Sequence, residues 1–345
     1  MSDSRAPGFS RRSLLAGAAA LPFAASAAAV PAIAQAPAVQ PPISWAIEDA
    51  AARAQTALAA GGGTKLVLLG TGGGPIAGRA RRMTSNVMVS EGKAYILDAG
   101  LGVTNQFGRT GLQFGQIESI FITHMHPDHM VELLPLMVIG WMHGLRPEVV
   151  AYGPPPLQSM IAQLIASQQT PVHFWAEDFH LTPLTSLTTN EITGDGPVMH
   201  DERVSVHAVL VEHPPVHPAF GYRFDFKDRS IAFSGDTVPL AAVARMANGA
   251  DVLVHEAMYM PAVDHEIREQ IAHGQHTSYE AFMAHMLADH SKAEDVGRIA
   301  TEAGVKTLVL SHLTPSAGAT DAEWRAAAAR NFAGEILVGH DLMVV

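Results

Sequence analysis

The run His124-Met125-His126-Pro127-Asp128-His129 places four potential metal ligands within six positions. It stands where an apolar run of strand length, Ile120-Phe121-Ile122-Thr123, gives way to an apolar-periodic segment over 130–141 that reads as a helix. A strand-to-helix turn splays successive side chains around a small volume, so two neighbouring metal ions can each draw ligands from it. Ionisable groups are seldom packed this densely without a metal or a partner charge. The chain has no cysteine, which excludes thiolate ligands, thiol nucleophiles and disulfides, and leaves its 18 histidines to carry any softer metal chemistry.

Three more candidates follow strand-like runs: His213 after 204–211, Asp236 after 230–233 and His312 after 307–310. Loops at strand ends converge on one rim of a sheet, which is where such residues can meet. His217 competes with His213, and Pro214 and Pro215 obscure the local geometry. His213 is favoured because it follows its strand directly, with His217 left as a pocket residue.

The elements that must position these residues alternate between the two periods. Strands are expected at 65–69, 86–90, 94–97, 119–122, 149–152, 204–211, 221–224, 230–233, 252–255 and 307–310, with Glu91-Gly92 as a hairpin turn. Helices are expected over 45–60 and 130–141, from Pro154–Pro156 through Gln169, and from Pro239, Ser278 and Ser291. The economical arrangement is two sheets with helices outside, in one domain. Segments 144–200 and 261–276 resist folding by inspection, and substrate specificity is expected to rest on them.

The chain opens with Ser10-Arg11-Arg12-Ser13-Leu14-Leu15 and an Ala-rich run to Ala36, read as a twin-arginine export signal. Pro22 and Pro31 interrupt that run, and its alanines are too weakly apolar for a stable membrane anchor. The expected organisation is a signal over 1–36, a linker and helix over 37–63, and one domain over 64–345, periplasmic or secreted after cleavage by way of the twin-arginine export machinery. The formal charge is −11; the first 36 residues carry +2 (Asp3, Arg5, Arg11, Arg12), so the rest carry −13. A surface that acidic repels polyanions, so no nucleic-acid partner is expected, although Arg79, Arg81 and Arg82 could meet one phosphate or sulfate.

Several short motifs recur in a fixed order: Leu69-Gly70-Thr71-Gly72-Gly73-Gly74, Leu97-Asp98-Ala99-Gly100, the HxHxDH segment, His213 with Gly221-Tyr222, Ser234-Gly235-Asp236-Thr237, His255-Glu256, His276-Thr277-Ser278 and Ser311-His312-Leu313. In that order the sequence resembles the metallo-β-lactamase superfamily, in its ribonuclease Z-like and arylsulfatase-like branch. The resemblance implies an α/β fold, an αββα sandwich of two mixed sheets flanked by helices, with two Zn2+ ions per chain. His124, His126 and His213 would hold one zinc, Asp128, His129 and His312 the other, and Asp236 would bridge them. Zinc ions about 3.5 to 4 Å apart bring bridging water towards a neutral pKa and polarise a substrate oxygen. Asp128 would accept the water's proton; Asp98 is open between orienting a ligand histidine and shaping a turn. His276 matches the family's candidate general acid, with Glu256 to polarise it, although His276 can equally be a neighbour of a capped helix start. His255 is expected to support a ligand by hydrogen bonding. The ten other histidines, His285 and His290 among them, read as surface or core residues. The Gly70 to Gly74 loop lacks the phosphate-cradle pattern and reads as a tight turn under the metals.

The expected activity is hydrolysis of a small-molecule phosphate or sulfate ester. A lactone or β-lactam-type carbonyl substrate is the alternative, and a mononuclear-iron, non-hydrolytic member stands third. Transfer-RNA maturation is not expected, because only a hairpin-sized stretch separates Tyr222 from Asp236, where ribonuclease Z carries an RNA-gripping arm. A homo-oligomer is left open.

Overall fold

Leu66 and Leu68 pack into one core while Val67 and Leu69 pack into another, so the first strand is apolar on both faces. A strand buried on both faces reads as a continuous apolar run, and it needs a layer of structure on either side. The computed structural model describes residues 44–75, 81–274 and 278–345, and Ser44–Val345 forms one unit. The export signal and His276 lie outside the described residues.

In chain order the elements are α1 (Ser44–Ala59), β1 (Lys65–Gly70), β2 (Ser85–Ser90), β3 (Lys93–Leu97), α2 (Val103–Arg109), β4 (Ile117–Phe121), α3 (Pro127–Met130), α4 (Leu133–Met142) and β5 (Val150–Gly153). Then follow α5 (Leu157–Ser167), α6 (Gln169–Phe179), β6 (Thr188–Glu191), β7 (Gly196–His200), β8 (Val204–His213), β9 (Val216–Phe226), β10 (Ser230–Phe233) and α7 (Ala241–Met246). The chain ends with β11 (Val252–Met258), α8 (Met260–Ala272), α9 (Tyr279–Asp289), α10 (Ala293–Ala303), β12 (Thr307–Thr314), α11 (Asp321–Ala328), β13 (Glu335–Val338) and β14 (Met343–Val344).

Two seven-stranded sheets result, ordered β14-β1-β2-β3-β4-β5-β6 and β13-β12-β11-β10-β9-β8-β7. Each is mixed: antiparallel through β14-β1-β2-β3 and β7-β8-β9-β10, parallel through β3-β4-β5-β6 and β10-β11-β12-β13. The inner faces meet in a core of Phe121, Tyr222, Phe224, Val254 and Val309. The outer face of the first sheet packs against residues of α2, α4 and α5, and that of the second against α7, α10 and α11. The molecule is therefore the expected αββα sandwich.

One expected helix is broken in two. The segment 130–141 starts a turn earlier and breaks at Val131 and Glu132. The Glu132 carboxylate accepts from the backbone N–H of Gly102 and Thr104 at the start of α2, and that tie to another helix accompanies the break. The helix expected through Gln169 is α5, which ends at Ser167, and α6 is a further helix beyond it. The strand expected at 221–224 is longer, because Phe220, Tyr222, Phe224 and Phe226 alternate into the inner core. Among the described residues no helix is long and apolar enough to cross a membrane.

Candidate metal centre

Strand direction decides where the candidate ligands meet. β8 and β10 are both antiparallel to β9 and so run the same way, and β11 and β12 run parallel to β10. His213 ends β8, Asp236 follows β10, and Glu256 and His312 lie towards the ends of β11 and β12, all at one edge. The HxHxDH turn after β4 and Asp98 after β3 arrive at the matching edge of the other sheet, since β3 and β4 are parallel.

Two local irregularities aim the side chains. In the β11/β12 ladder Glu256 pairs with Ser311 and Ala257 with Leu313, so His312 is an extra residue, with φ of 45°. A bulge of this kind interrupts the ladder locally and re-aims one side chain. Gly73 is the second: a Cβ there would lie 2.8 Å from His312 Nδ1 and 2.3 Å from Thr314 Oγ1, so only glycine lets the loop pass this ring. The Gly70 to Gly74 turn therefore supports the centre, as expected.

The seven side chains form two overlapping groups. His124, His126, His213 and Asp236 make one; Asp128, His129, His312 and the same Asp236 make the other; within each group the ligand atoms lie within 4.8 Å of one another. His126 Nδ1 is 3.1 Å from His124 Nε2 and 2.9 Å from His213 Nε2. Asp236 Oδ2 lies 3.2 Å from His129 Nε2 and 3.1 Å from His312 Nε2, and Asp128 Oδ2 is 3.2 Å from His312 Nε2. Nitrogen ligands about 2.0 to 2.1 Å from a tetrahedral zinc stand roughly 3.3 Å apart, so this spacing fits a shared ion.

The far sides of three of the rings are held as metal ligands require. His213 Nδ1 donates to the carbonyl oxygen of Asp289 at 2.8 Å, and His129 Nδ1 lies 2.9 Å from Asp98 Oδ2, so both Nε2 lone pairs point inward. Asp98 also accepts from the Thr123 N–H at 2.8 Å and has φ of 64°, so it both orients a histidine and shapes a turn. Thr123 Oγ1 sits 3.0 Å from His124 Nδ1. His255 takes no such part: its Nδ1 meets the Glu256 carbonyl oxygen at 2.7 Å, and no hydrogen bond joins it to a ligand.

Asp98, Asp128, Asp236 and Glu256 are each at most 3% exposed, a concentration of negative charge that demands compensation. Burial alone would raise Asp128, yet His129 and His312 bring it down to about 2. Burial pushes His213 down to about 4 against the pull of Asp236. It works against His129 too, but Asp236, Asp98 and Asp128 together raise that ring well above the ordinary range. The carboxylates thus call for positive charge at the middle of the cluster, which divalent ions supply.

Sequence reasoning missed His290. Its Nδ1 lies 3.1 Å from Glu256 Oε2, and its ring faces those of His213 and His312 with centroids 5.0 and 5.7 Å away. Burial would lower it, but Glu256 holds it at about 9. The only signal in the sequence was its place one residue before a helix start. His217 is exposed and does not line the cleft. Arg81 is committed to Thr71 Oγ1 at 2.9 Å and to the Gly339 carbonyl oxygen, so it supports the loop and is not held ready for an anion.

Residues 94–313 match the model of the β-lactamase superfamily domain. The chain belongs to the metallo-β-lactamase superfamily. It is 31% identical to the ribonuclease Z of Mycobacterium avium over 81% of this chain and 96% of that one. Among solved structures it is similar to the metallo-β-lactamase fold protein YhfI of Bacillus subtilis (19% identity, TM-score 0.60, 82% and 98% covered). It is similar also to the short form of human tRNase Z (22%, 0.57, 81% and 98%). This superfamily chain is a metallo-hydrolase by membership. The expectation that it has no nucleic-acid partner is overturned by the ribonuclease Z relatives. Net charge sets only the long-range field, whereas contact at a site follows local charge.

Proposed function

We propose that the chain hydrolyses phosphodiester bonds of nucleic acid on a dinuclear zinc centre. The observation that carries this is the pair of ligand groups sharing Asp236, beside the Glu256–His290 pair and open to one cleft, in a chain whose curated relatives are ribonucleases Z. His124, His126, His213, Asp128, His129, His312 and Asp236 would hold the ions. A zinc pair supplies Lewis acidity at the ester and lowers the pKa of water.

The chain's own groups do the rest. Asp98 and the Asp289 carbonyl keep protons on the outer ring nitrogens of His129 and His213. Asp128 Oδ2, at the cleft, accepts the proton of the attacking water. His290 lines the same cleft with Nδ1 engaged by Glu256, leaving the Nε2 proton for the departing oxygen. Water adds to phosphorus, the P–O bond to the leaving group breaks, and that oxygen departs as a hydroxyl. Glu256 is itself positioned by the Thr237 N–H at 2.8 Å. His290 takes this role in preference to His276 because its partner is in place.

The test is incubation of a single-stranded oligoribonucleotide and of bis(p-nitrophenyl) phosphate with the zinc-loaded protein, with and without chelator. Cleavage of both that stops with chelator is expected; cleavage of neither, or cleavage indifferent to chelator, sinks the proposal. Export is supported by Arg11-Arg12 and the Ala-rich run to Ala36, and an unprocessed N-terminus on protein recovered from the producing cells would contradict it.

A further inference from the structure

Helices α8 and α9 stand as a wall beside the metal centre with a small core of their own. Met258, Val263, Ile267 and Met286 are buried together, and Phe282 is half-buried against them. Arg268 lies 4.6 Å over the Tyr279 ring, and Tyr279 donates its hydroxyl proton to Asp264, joining one helix to the other. The wall is fixed to the metal centre through Asp289, whose carbonyl receives the His213 proton and whose carboxylate lies 2.6 Å from His285 Nδ1.

Val263, Ile267, Phe282 and Met286 line the same cleft of about 640 Å³ as His126, Asp128, Asp236, His290 and His312. Val263, Ile267 and Met286 are already buried against one another, so the half-buried Phe282 ring is the apolar surface the wall has left to offer a substrate, and it contributes to binding only where the substrate brings apolar surface to it. The volume lies within the range of sites that hold one drug-sized ligand, so there is room beyond the phosphate for one ring and its linker. Glu266, which accepts from Gln270 Nε2 at 3.0 Å, puts a carboxylate in the lining. A second phosphate is disfavoured there and a neutral group is not.

We infer that this wall is a pocket for an aromatic group carried within a few bonds of the scissile phosphorus, with the Phe282 ring as its stacking partner. The group is the unpaired base of a nucleotide or a plain aryl ring. The inference rests on the phosphodiesterase reading for its context, but binding tests it without turnover.

The experiment is calorimetric titration of the zinc-loaded protein with methyl phosphate, phenyl phosphate and thymidine 5′-monophosphate. The same titrations are run on Phe282→Ala and Phe282→Leu. Phenyl phosphate and the nucleotide are expected to bind about tenfold or more tightly than methyl phosphate, as stacking on an aromatic side chain allows. Phe282→Ala should remove most of that advantage and Phe282→Leu part of it, with methyl phosphate affinity within about twofold throughout as the check on folding. The order of the two aromatic ligands separates base from simple ring. Equal affinity for all three in the wild type, or an advantage undiminished in both variants, overturns the pocket. An aromatic preference without cleavage of any phosphodiester would remove the proposed function and leave the pocket standing; cleavage without the preference would do the reverse.

Discussion

The ligands at the sheet rim and the two helices beside them share one cleft but are held in different ways. The ligands sit at or just beyond strand ends, all but His126 buried, and the outer ring nitrogens of His129 and His213 are tied to Asp98 and Asp289. The wall of α8 and α9 rests on only a small core, to which Met258 at the end of β11 contributes. A cluster of buried charges tolerates little displacement, because each group left unpaired keeps its full desolvation penalty. A satellite of side chains such as Met286 and Phe282 can be reshaped at small expense, since methionine and half-buried rings repack. Chemistry is thus placed on the rigid part and selection on the adaptable part.

The largest effect that could break this contrast comes from Asp236, the member common to both ligand groups. Asp236→Ala is expected to lower kcat/KM on a phosphodiester by well over a hundredfold, measured on the zinc-supplemented variant. A loss under tenfold would mean the rim is as forgiving as the wall. His290→Ala comes next. Its loss should reach about a hundredfold on an alkoxide leaving group and stay within a few-fold on p-nitrophenolate, as general-acid removal requires. Equal losses on both would take the acid role away from it.

Smaller effects sharpen the contrast. Asp98→Asn keeps the Thr123 contact but weakens the hold on His129, and should cost about tenfold to a hundredfold in zinc affinity by competition with a chromophoric chelator. Gly73→Ala must push the His312 ring or Thr314 aside, because its Cβ would stand inside normal contact distance of both. A several-fold loss of zinc affinity is expected; an unchanged affinity would show that the rim yields after all. Smallest is Met286→Ala in the wall, expected to change the melting temperature by less than Phe224→Ala, which removes a fully buried ring from between the sheets at about 3 to 5 kcal/mol.

The rim was legible in the sequence for the same reason that it is rigid. Four ligands lie within six residues, and the order of motifs shared with the superfamily, supported by their places after strand-like runs, picked out His213, Asp236 and His312. His290 was not legible, because its partner Glu256 is 34 residues away and their meeting depends on where α9 ends beside β11. The wall was opaque because the buried apolar residues of α8, such as Val263 and Ile267, are few and are separated by charged residues. The break between α3 and α4 was hidden for a related reason: a tertiary bond from Glu132 overrides a periodic apolar pattern. The partner was misjudged because charge summed over the whole chain stood in for charge at the site.

The measurement that bears most directly on the centre is the zinc content of the wild-type chain and of Asp236→Ala after equilibration at equal free zinc. Two ions per wild-type chain and at most one in the variant are expected. One ion or none in the wild type, or an undiminished pair in the variant, would contradict a shared carboxylate between two sites.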